Sequence, residues 1–195
     1  MYIKSFLFLV IGFWFCELGA YELKHSQEAE VSSIVDTQAF KFYTMLGKGN
    51  NWHIAHYANR RLAVHILSAL NAREDRSLYG FQAKDIEGMP LSSTQSYTVF
   101  MNGNGNGWYE CARGFVVTGM YFYDQGDRSV ERFECTKVLG KTTYPLFDFQ
   151  NADINGPVVC GKVHGKDTYT TGFYYQDSGD DRIRFMLCGY FFDEN

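Results

Sequence analysis

Carboxylates clustered on short polar turns are the residues of this sequence whose types and spacing could do chemistry. Three such turns occur, and each ends in an arginine: Glu74-Asp75-Arg76, Asp124-Gln125-Gly126-Asp127-Arg128 and Asp177-Ser178-Gly179-Asp180-Asp181-Arg182. Several carboxylate oxygens on one turn can bind calcium, but the guanidinium that follows them is a nearer partner. The pattern therefore favours Asp–Arg ion pairs and turn capping, with sugar or glycosaminoglycan contacts and a calcium site as alternatives. No other cofactor is predicted.

Tyrosines border two of these turns, in the runs Tyr121-Phe122-Tyr123 and Phe173-Tyr174-Tyr175. Side chains alternate along a strand, so each run points some aromatics inward and others outward. Outward tyrosines beside Asp and Arg suit stacking on sugars or docking a protein partner, and tyrosines next to acidic residues are candidate sulfation sites. The predicted ligand-binding residues are Asp75, Arg76, Tyr123, Asp124, Asp127, Arg128, Tyr175, Asp177, Asp181 and Arg182.

Catalytic motifs are missing from the sequence, which has no nucleophile elbow, phosphate loop or His-Glu-x-x-His. His53 and His56 have the offset of a helical metal pair, but in a strand or loop that offset places them on opposite faces. We therefore predict no catalytic residues, no metal site and no enzyme. An enzyme would instead need a cleft that gathers a histidine, a carboxylate and a group with a perturbed pKa.

The elements that must position the turns are β-hairpins closed by cysteines. Cys111 and Cys135 flank a β-rich run, the acidic turn and a second run, which predicts a disulfide at the base of a hairpin. The same pattern recurs between Cys160 and Cys188, so a second disulfide is predicted there.

A third copy lies upstream, where Ala55 and Ala83 stand at the positions of the two cysteines. A single cysteine would leave a reactive thiol, so the loss of both predicts that these two positions touch. The sequence thus predicts three repeats of about fifty residues. Aligning them makes the segment 60–70 a doubly buried strand, although it is rich in helix formers. The segment 36–46 is either a short helix or a first strand.

Two connectors are predicted between the repeats. The alternating Asn-Gly sequence from Asn102 to Gly107 permits positive φ at nearly every residue, which is typical of a tight or mobile loop. The stretch Lys141 to Ala152 reads as a second connector, with Phe147 and Phe149 contributing to the core.

The N-terminus predicts a secreted protein. Lys4 precedes an apolar run from Phe6 to Phe15, and Leu18-Gly19-Ala20 follows, so residues 1–20 are predicted to be a signal peptide, with an uncleaved anchor as the alternative. Residues 21–35 form a flexible lead-in, and 36–195 form one β domain with repeats at approximately 36–90, 91–140 and 141–195. The net charge of −4 without Lys/Arg runs gives no footprint for nucleic acid or membrane insertion.

The repeat resembles the dermatopontin family of secreted matrix proteins. The likeness lies in Trp108-Tyr109-Glu110-Cys111, in the Gly-Val-rich strand Gly114 to Gly119, and in the stretch from Asp181 to Cys188. Gly179-Asp180-Asp181 and Arg132-Phe133-Glu134-Cys135 also resemble vitelline-membrane outer-layer proteins, the second family. The first resemblance implies binding of matrix proteins, proteoglycans or cell surfaces, with lectins and cell-aggregation factors among its invertebrate relatives. Neither resemblance implies enzyme activity.

These observations predict a secreted all-β protein of three pseudo-symmetric units, prism-like or trefoil-like. Its predicted core includes Trp52, Trp108, Val117, Phe133, Phe173 and Phe185. The expected function is a non-catalytic matrix or adhesion module. A glycan-specific lectin and a structural coat protein of an egg or other extracellular layer are the alternatives, and self-association stays open.

Overall fold

Every regular element that the computed structural model describes is a β-strand. It describes residues 40–44, 49–57, 60–69, 78–86, 89–123, 129–151, 156–177 and 182–194. The predictions for the signal peptide, the lead-in and most of the acidic turns lie outside these ranges. Nowhere in them is there a helix of the length and apolarity needed to cross a membrane.

The strands, numbered along the chain, are β1 Phe40–Thr44, β2 Asn51–Ile54, β3 His56–Tyr57, β4 Arg60–Arg61, β5 Ala63–Ala69, β6 Leu78–Lys84, β7 Leu91–Phe100, β8 Gly107–Glu110, β9 Phe115–Phe122, β10 Val130–Val138, β11 Lys141–Asn151, β12 Gly156–Val159, β13 Lys162–Val163, β14 Lys166–Asp167, β15 Tyr169–Gln176 and β16 Arg182–Asp193.

Twelve of these strands form three four-stranded antiparallel sheets. Sheet 1 has the order β1-β6-β5-β12, sheet 2 has β2-β9-β10-β7, and sheet 3 has β11-β16-β15-β8. The centre of each sheet is a hairpin of two long strands that follow each other in the chain: β5–β6, β9–β10 and β15–β16. The first strand of each hairpin pairs on its other side with a short strand, β12, β2 or β8 respectively. Each short strand is distant in the chain from the hairpin that it joins. The three sheets are therefore interlocked by the strands β12, β2 and β8. The ribbons β3–β4 and β13–β14 lie outside them.

One backbone irregularity recurs in all three central hairpins. The register slips by one residue at His65, Thr118 and Thr171, opposite Ala83, Cys135 and Cys188 respectively. Such a bulge leaves the extra residue outside the ladder of its own hairpin.

The carbonyl of each bulged residue accepts a hydrogen bond from the backbone N–H that follows an interlocking strand. Cys160 donates to His65 over 2.9 Å, Ala55 to Thr118 over 2.7 Å, and Cys111 to Thr171 over 2.8 Å. Each of the three sheets therefore has one such hydrogen bond, which joins its bulge to the residue after the interlocking strand.

Glycine follows the bulge in sheets 2 and 3 because the interlocking strand passes very close to it. A Cβ at Gly172 would lie 2.5 Å from the carbonyl oxygen of Tyr109, and one at Gly119 would lie 3.0 Å from that of His53. In sheet 1 this position is Ile66, paired with Val159.

Both predicted disulfides are confirmed. Cys111 bonds Cys135 and Cys160 bonds Cys188, each with a Cα–Cα distance of 5.6 Å, over sequence separations of 24 and 28. Loops of this length correspond to about 3.5 kcal/mol each in the loop-entropy description. Three of the four sulfurs belong to residues at most 5% exposed, so the bridges are part of the core.

The main core lies between the inner faces of the three sheets. Val117, Phe133 and Phe173 are fully buried there, as predicted, together with Ala55 and Ala83. The strand predicted over 60–70 is confirmed for Ala63–Ala69, where β5 buries residues on both of its faces, whereas Arg60–Arg61 belongs to the separate strand β4.

Three predictions about these elements were wrong or undecided: part of the core, one connector and the first segment. Trp108 is 40% exposed, and Trp52 and Phe185 are half-buried rather than core. Residues 141–151 form the long strand β11 and not a connector. Its register shifts between Tyr144 and Asp148, around Pro145, because proline cannot donate to the ladder and is tolerated at a bulge. The ambiguous segment 36–46 contains the strand β1.

Candidate functional site

Only four of the ten predicted ligand-binding residues fall within the described ranges: Tyr123, Tyr175, Asp177 and Arg182. Tyr175 is fully buried and Arg182 is 8% exposed, so neither offers a surface to a ligand. Tyr123 directly follows β9 and is half-buried, and its backbone N–H donates to the Ser129 carbonyl across the hairpin over 2.8 Å. Asp75, Arg76, Asp124, Asp127, Arg128 and Asp181 lie outside the described residues.

Asp177 fastens the Asn-Gly loop to the end of sheet 3. The Gly105 N–H donates to the Asp177 carboxylate over 2.8 Å, and the Asp177 N–H donates to the Asn106 side-chain oxygen over 2.6 Å. The Tyr109 hydroxyl donates to the Gly105 carbonyl over 2.6 Å. Burial, and secondarily the Asp177 charge, raise the pKa of Tyr109. The positive φ predicted for this loop is present at Gly103 and Gly105, and the loop is held from both sides.

A line of large side chains crosses the outer face of sheet 2, one from each strand. Register pairs Trp52 with Tyr121, Tyr121 with Arg132, and Arg132 with Phe100. We call these four residues the Trp52 row. Neighbouring positions point the other way, since Met120 and Phe133 are fully buried in the core. Phe100 is 55% exposed, and the other three are half-buried.

Sheet 3 has a second line of large side chains, whose tyrosine lies three residues after the bulge, as Tyr121 does in sheet 2. Trp108 pairs with Tyr174, and Tyr174 pairs with Phe185; these three residues are the Trp108 row. The Trp108 and Tyr174 rings meet edge to face at 5.2 Å, and Tyr174 meets Phe185 at 6.0 Å. Such edge contacts hold the rings in place and leave 40% of Trp108 exposed.

Sheet 1 lacks a comparable line. The corresponding positions, counted from its bulge, are Pro157, Ser68 and Gly80, which pair in that order. At this register, therefore, two of the three sheets carry aromatic residues on paired strands, and sheet 1 carries none. An aromatic face of this kind can stack on a sugar ring or anchor a protein partner.

The sequence contained a signal for these rows that the core prediction missed. In β8, Trp108 shares its strand face with Glu110 and not with Tyr109, because side chains alternate. Glu110 is charged and exposed, so its face is the solvent face. Tyr109, by contrast, packs against the core.

A cleft of about 360 Å³ lies elsewhere, over a smaller apolar cluster that includes Tyr169 and Phe191. Its rim is charged. Asp167 accepts from Lys84 at 2.6 Å and pairs with Lys162 at 3.4 Å, while Lys141 pairs with Asp193 at 2.5 Å.

The ion pairs shift the pKa values of the two aspartates at this cleft. The hydrogen bond from Lys84 lowers the pKa of Asp167, and the hydrogen bond from Lys141 lowers that of Asp193. Burial, with the Lys84 charge, lowers the pKa of His65 to about 4.

His65 does not line the cleft, but the charge of Asp167 at the cleft acts on it, so a histidine with a perturbed pKa and a carboxylate are near each other, as an enzyme would require. However, both oxygens of Asp167 already bind lysines, and His65 is only 5% exposed. The arrangement is that of a structural ion-pair cluster around the apolar floor of the cleft. Among the residues that the structure describes, no group of three His, Cys, Asp or Glu side chains could hold a metal ion.

The geometry thus offers two aromatic rows on disulfide-closed sheets, and one charged cleft whose carboxylates are paired with lysines. The two disulfides are compatible with an extracellular location. Comparison of the chain with protein-family models, with curated proteins and with solved structures found no match.

Proposed function

We propose that this chain is a secreted, non-catalytic binding module that holds glycans, proteoglycans or matrix proteins against the Trp52 row and the Trp108 row. The observation that carries the proposal is the exposure of large aromatic rings on the outer faces of two sheets, with Phe100 at 55% and Trp108 at 40%. Rings of this size normally go to the core, and partly exposed ones anchor partners at binding surfaces.

Rigidity supports this role. Each row is built on paired strands, and disulfides cross-link the sheets that carry the rows. Cys135 of β10 is bonded to Cys111, which directly follows β8, and Cys188 of β16 is bonded to Cys160, which directly follows β12. A ligand that docks on such a face therefore orders few new side chains, which lowers the entropic cost of binding.

We extend the proposal to the architecture: the three sheets are copies of one pseudo-symmetric unit, in a prism-like or trefoil-like arrangement. The shared strand order supports this reading. So does the bulge that accepts the N–H of Cys160, Ala55 or Cys111 in each sheet. Within this scheme, the aromatic rows are surface features added to two of three units.

The test is binding of the disulfide-intact protein to arrays of glycans and immobilised matrix proteins. Trp108→Ala should weaken binding by roughly 10- to 30-fold if this ring is an anchor worth about 1.5–2 kcal/mol. Leu139→Ala is the matched control, because Leu139 is 45% exposed but belongs to neither row. The proposal fails if the wild-type protein binds nothing on either array, or if the two variants bind equally well.

A free sugar separates the two kinds of partner. Competition by one monosaccharide or oligosaccharide would make the protein a lectin. Binding to matrix proteins that no sugar reverses would make it a protein-adhesion module that uses the same rows.

A further inference from the structure

Arg132 occupies an unusual place in the Trp52 row, because three aromatic rings surround its guanidinium. The Cζ atom lies 4.1 Å from the ring centre of Tyr121, 5.3 Å from that of Phe100 and 5.9 Å from that of Trp52. Each distance is within the range of a cation–π contact. The rings hold the charged group at the outer surface of sheet 2.

The carboxylates next to Arg132 in sequence are engaged elsewhere. Glu131 accepts a hydrogen bond from the Asn102 side chain at 2.9 Å. Glu134, two residues along the same strand face, accepts from Arg61 and from the Thr118 hydroxyl. Within the described part of the chain, Arg132 forms no ion pair, and its Nε has no hydrogen-bond partner.

The Trp108 row provides an internal contrast. Its residue at the register of Arg132 is Phe185, which meets Tyr174 at 6.0 Å and Trp108 at 6.2 Å. The two rows thus share a tryptophan and a tyrosine. At the next register sheet 2 has a cation where sheet 3 has an apolar ring, and beyond it Phe100 of sheet 2 corresponds to Asn151 of sheet 3.

We propose that the Trp52 row binds an acidic saccharide, with a carboxylate or sulfate of the ligand on the Arg132 guanidinium and sugar rings on Trp52 and Phe100. The planar guanidinium presents a fork of donors that matches either anion. This inference rests on the proposed function and narrows it, since it gives the two rows different ligand classes.

The position of the row favours a saccharide over an acidic peptide. Peptides that add to a sheet need a free backbone edge, whereas this row runs across the strands and offers only side chains. It crosses three strand spacings, or roughly 14 Å, so it suits an extended chain of flat rings that lies across the sheet.

The experiment compares wild type with Arg132→Gln, Arg132→Lys and Arg113→Gln on three matched polysaccharides: one carboxylated, one sulfated and one neutral. Arg113→Gln removes one positive charge at an exposed position outside the rows. Wild type and Arg113→Gln should prefer an acidic polymer, and added salt should reduce that preference. Arg132→Gln should lose about tenfold or more on the acidic polymer and little on the neutral one. Arg132→Lys should retain part of the preference.

Each outcome has a distinct meaning. Whichever acidic polymer shows the effect identifies the anion as carboxylate or sulfate. An unchanged acidic-to-neutral ratio in Arg132→Gln, with a wild-type melting temperature, would overturn the inference while glycan binding itself survives. Equal competition by polyglutamate would replace the saccharide with an acidic peptide and would also overturn it. Failure of the wild type to bind any array would instead remove the proposed function.

Discussion

Restoring a disulfide at Ala55 and Ala83 is the sharpest test of the proposal that the three sheets are copies of one unit. Both residues are fully buried in the main core. Ala55 makes the same bulge contact as Cys111 and Cys160, and Ala83 lies opposite a bulge as Cys135 and Cys188 do. If the units correspond, the double variant Ala55→Cys/Ala83→Cys should form a third bridge without rearrangement.

The expected gain follows from the length of the new loop. The separation from 55 to 83 is 28 residues, equal to that of the natural bridge Cys160–Cys188. A loop of this length corresponds to about 3.5 kcal/mol. At roughly 2–4 °C per kcal/mol for a domain of this size, the melting temperature should rise by about 10 °C.

The assay counts free thiols under denaturing conditions and measures thermal unfolding with and without reductant. The control pair is Ala55→Cys with Gln82→Cys, because position 82 is adjacent to Ala83 but points to the opposite face of β6. A double variant at 55 and 83 that keeps two free thiols in the folded, oxidised protein would refute the correspondence. So would a bridge that forms equally well in the control pair.

Two further predictions concern stability. His65 is buried with its pKa lowered from 6.5 to about 4, so the unfolded chain takes up a proton before the folded one. Stability should therefore fall by up to about 3 kcal/mol as the pH drops from about 6.5 to 4. His65→Thr, the residue type at the other two bulges, should remove most of that fall in urea titrations, and an unchanged slope would contradict the assignment. Gly172→Ala should lower the melting temperature, because the new Cβ meets the Tyr109 carbonyl oxygen at 2.5 Å, whereas Gly161→Ala, with no atom within 4 Å, should not; equal melting temperatures would count against the close approach of β8.

The sequence was sufficient for the strands of the central hairpins and for the disulfides, because both are set by local patterns and spacing. Cysteine spacing predicted both bridges, and alignment predicted a strand that the structure has over Ala63–Ala69, despite the helix formers there. The interlocking of the sheets by β2, β8 and β12 has no such local signal. Those strands are only four residues long, and their partners lie far away in the chain.

The errors in the predicted core came from assigning Trp52, Trp108 and Phe185 to the buried faces of their strands. Residue type alone does not separate the two faces of a strand, but distance from a buried cysteine does, because alternate side chains share a face. Phe133 lies two residues before Cys135 and is fully buried. Phe185 lies three residues before Cys188 and is half-buried on the outer face.

The predicted ligand residues could not be placed in the same way, because they were chosen for clustering on the acidic turns. Those turns lie mostly outside the described residues. Of the four predicted residues within the described ranges, Tyr175 and Arg182 are buried, Asp177 fastens the Asn-Gly loop, and Tyr123 is half-buried.

The position three residues before the second cysteine of each bridge holds a cation in the Trp52 row and an apolar ring in the Trp108 row. Arg132 lies three residues before Cys135, as Phe185 does before Cys188, and each pairs with the tyrosine of its row. Phe185→Arg should therefore place a guanidinium against Tyr174 and Trp108 and give sheet 3 the acidic preference proposed for sheet 2. In the Arg132→Gln background, this second change should restore about tenfold tighter binding to the acidic polysaccharide, measured against Phe185→Gln as the control. Equal binding by the Arg and Gln variants, both folded, would mean that the ligand preference does not reside at this position.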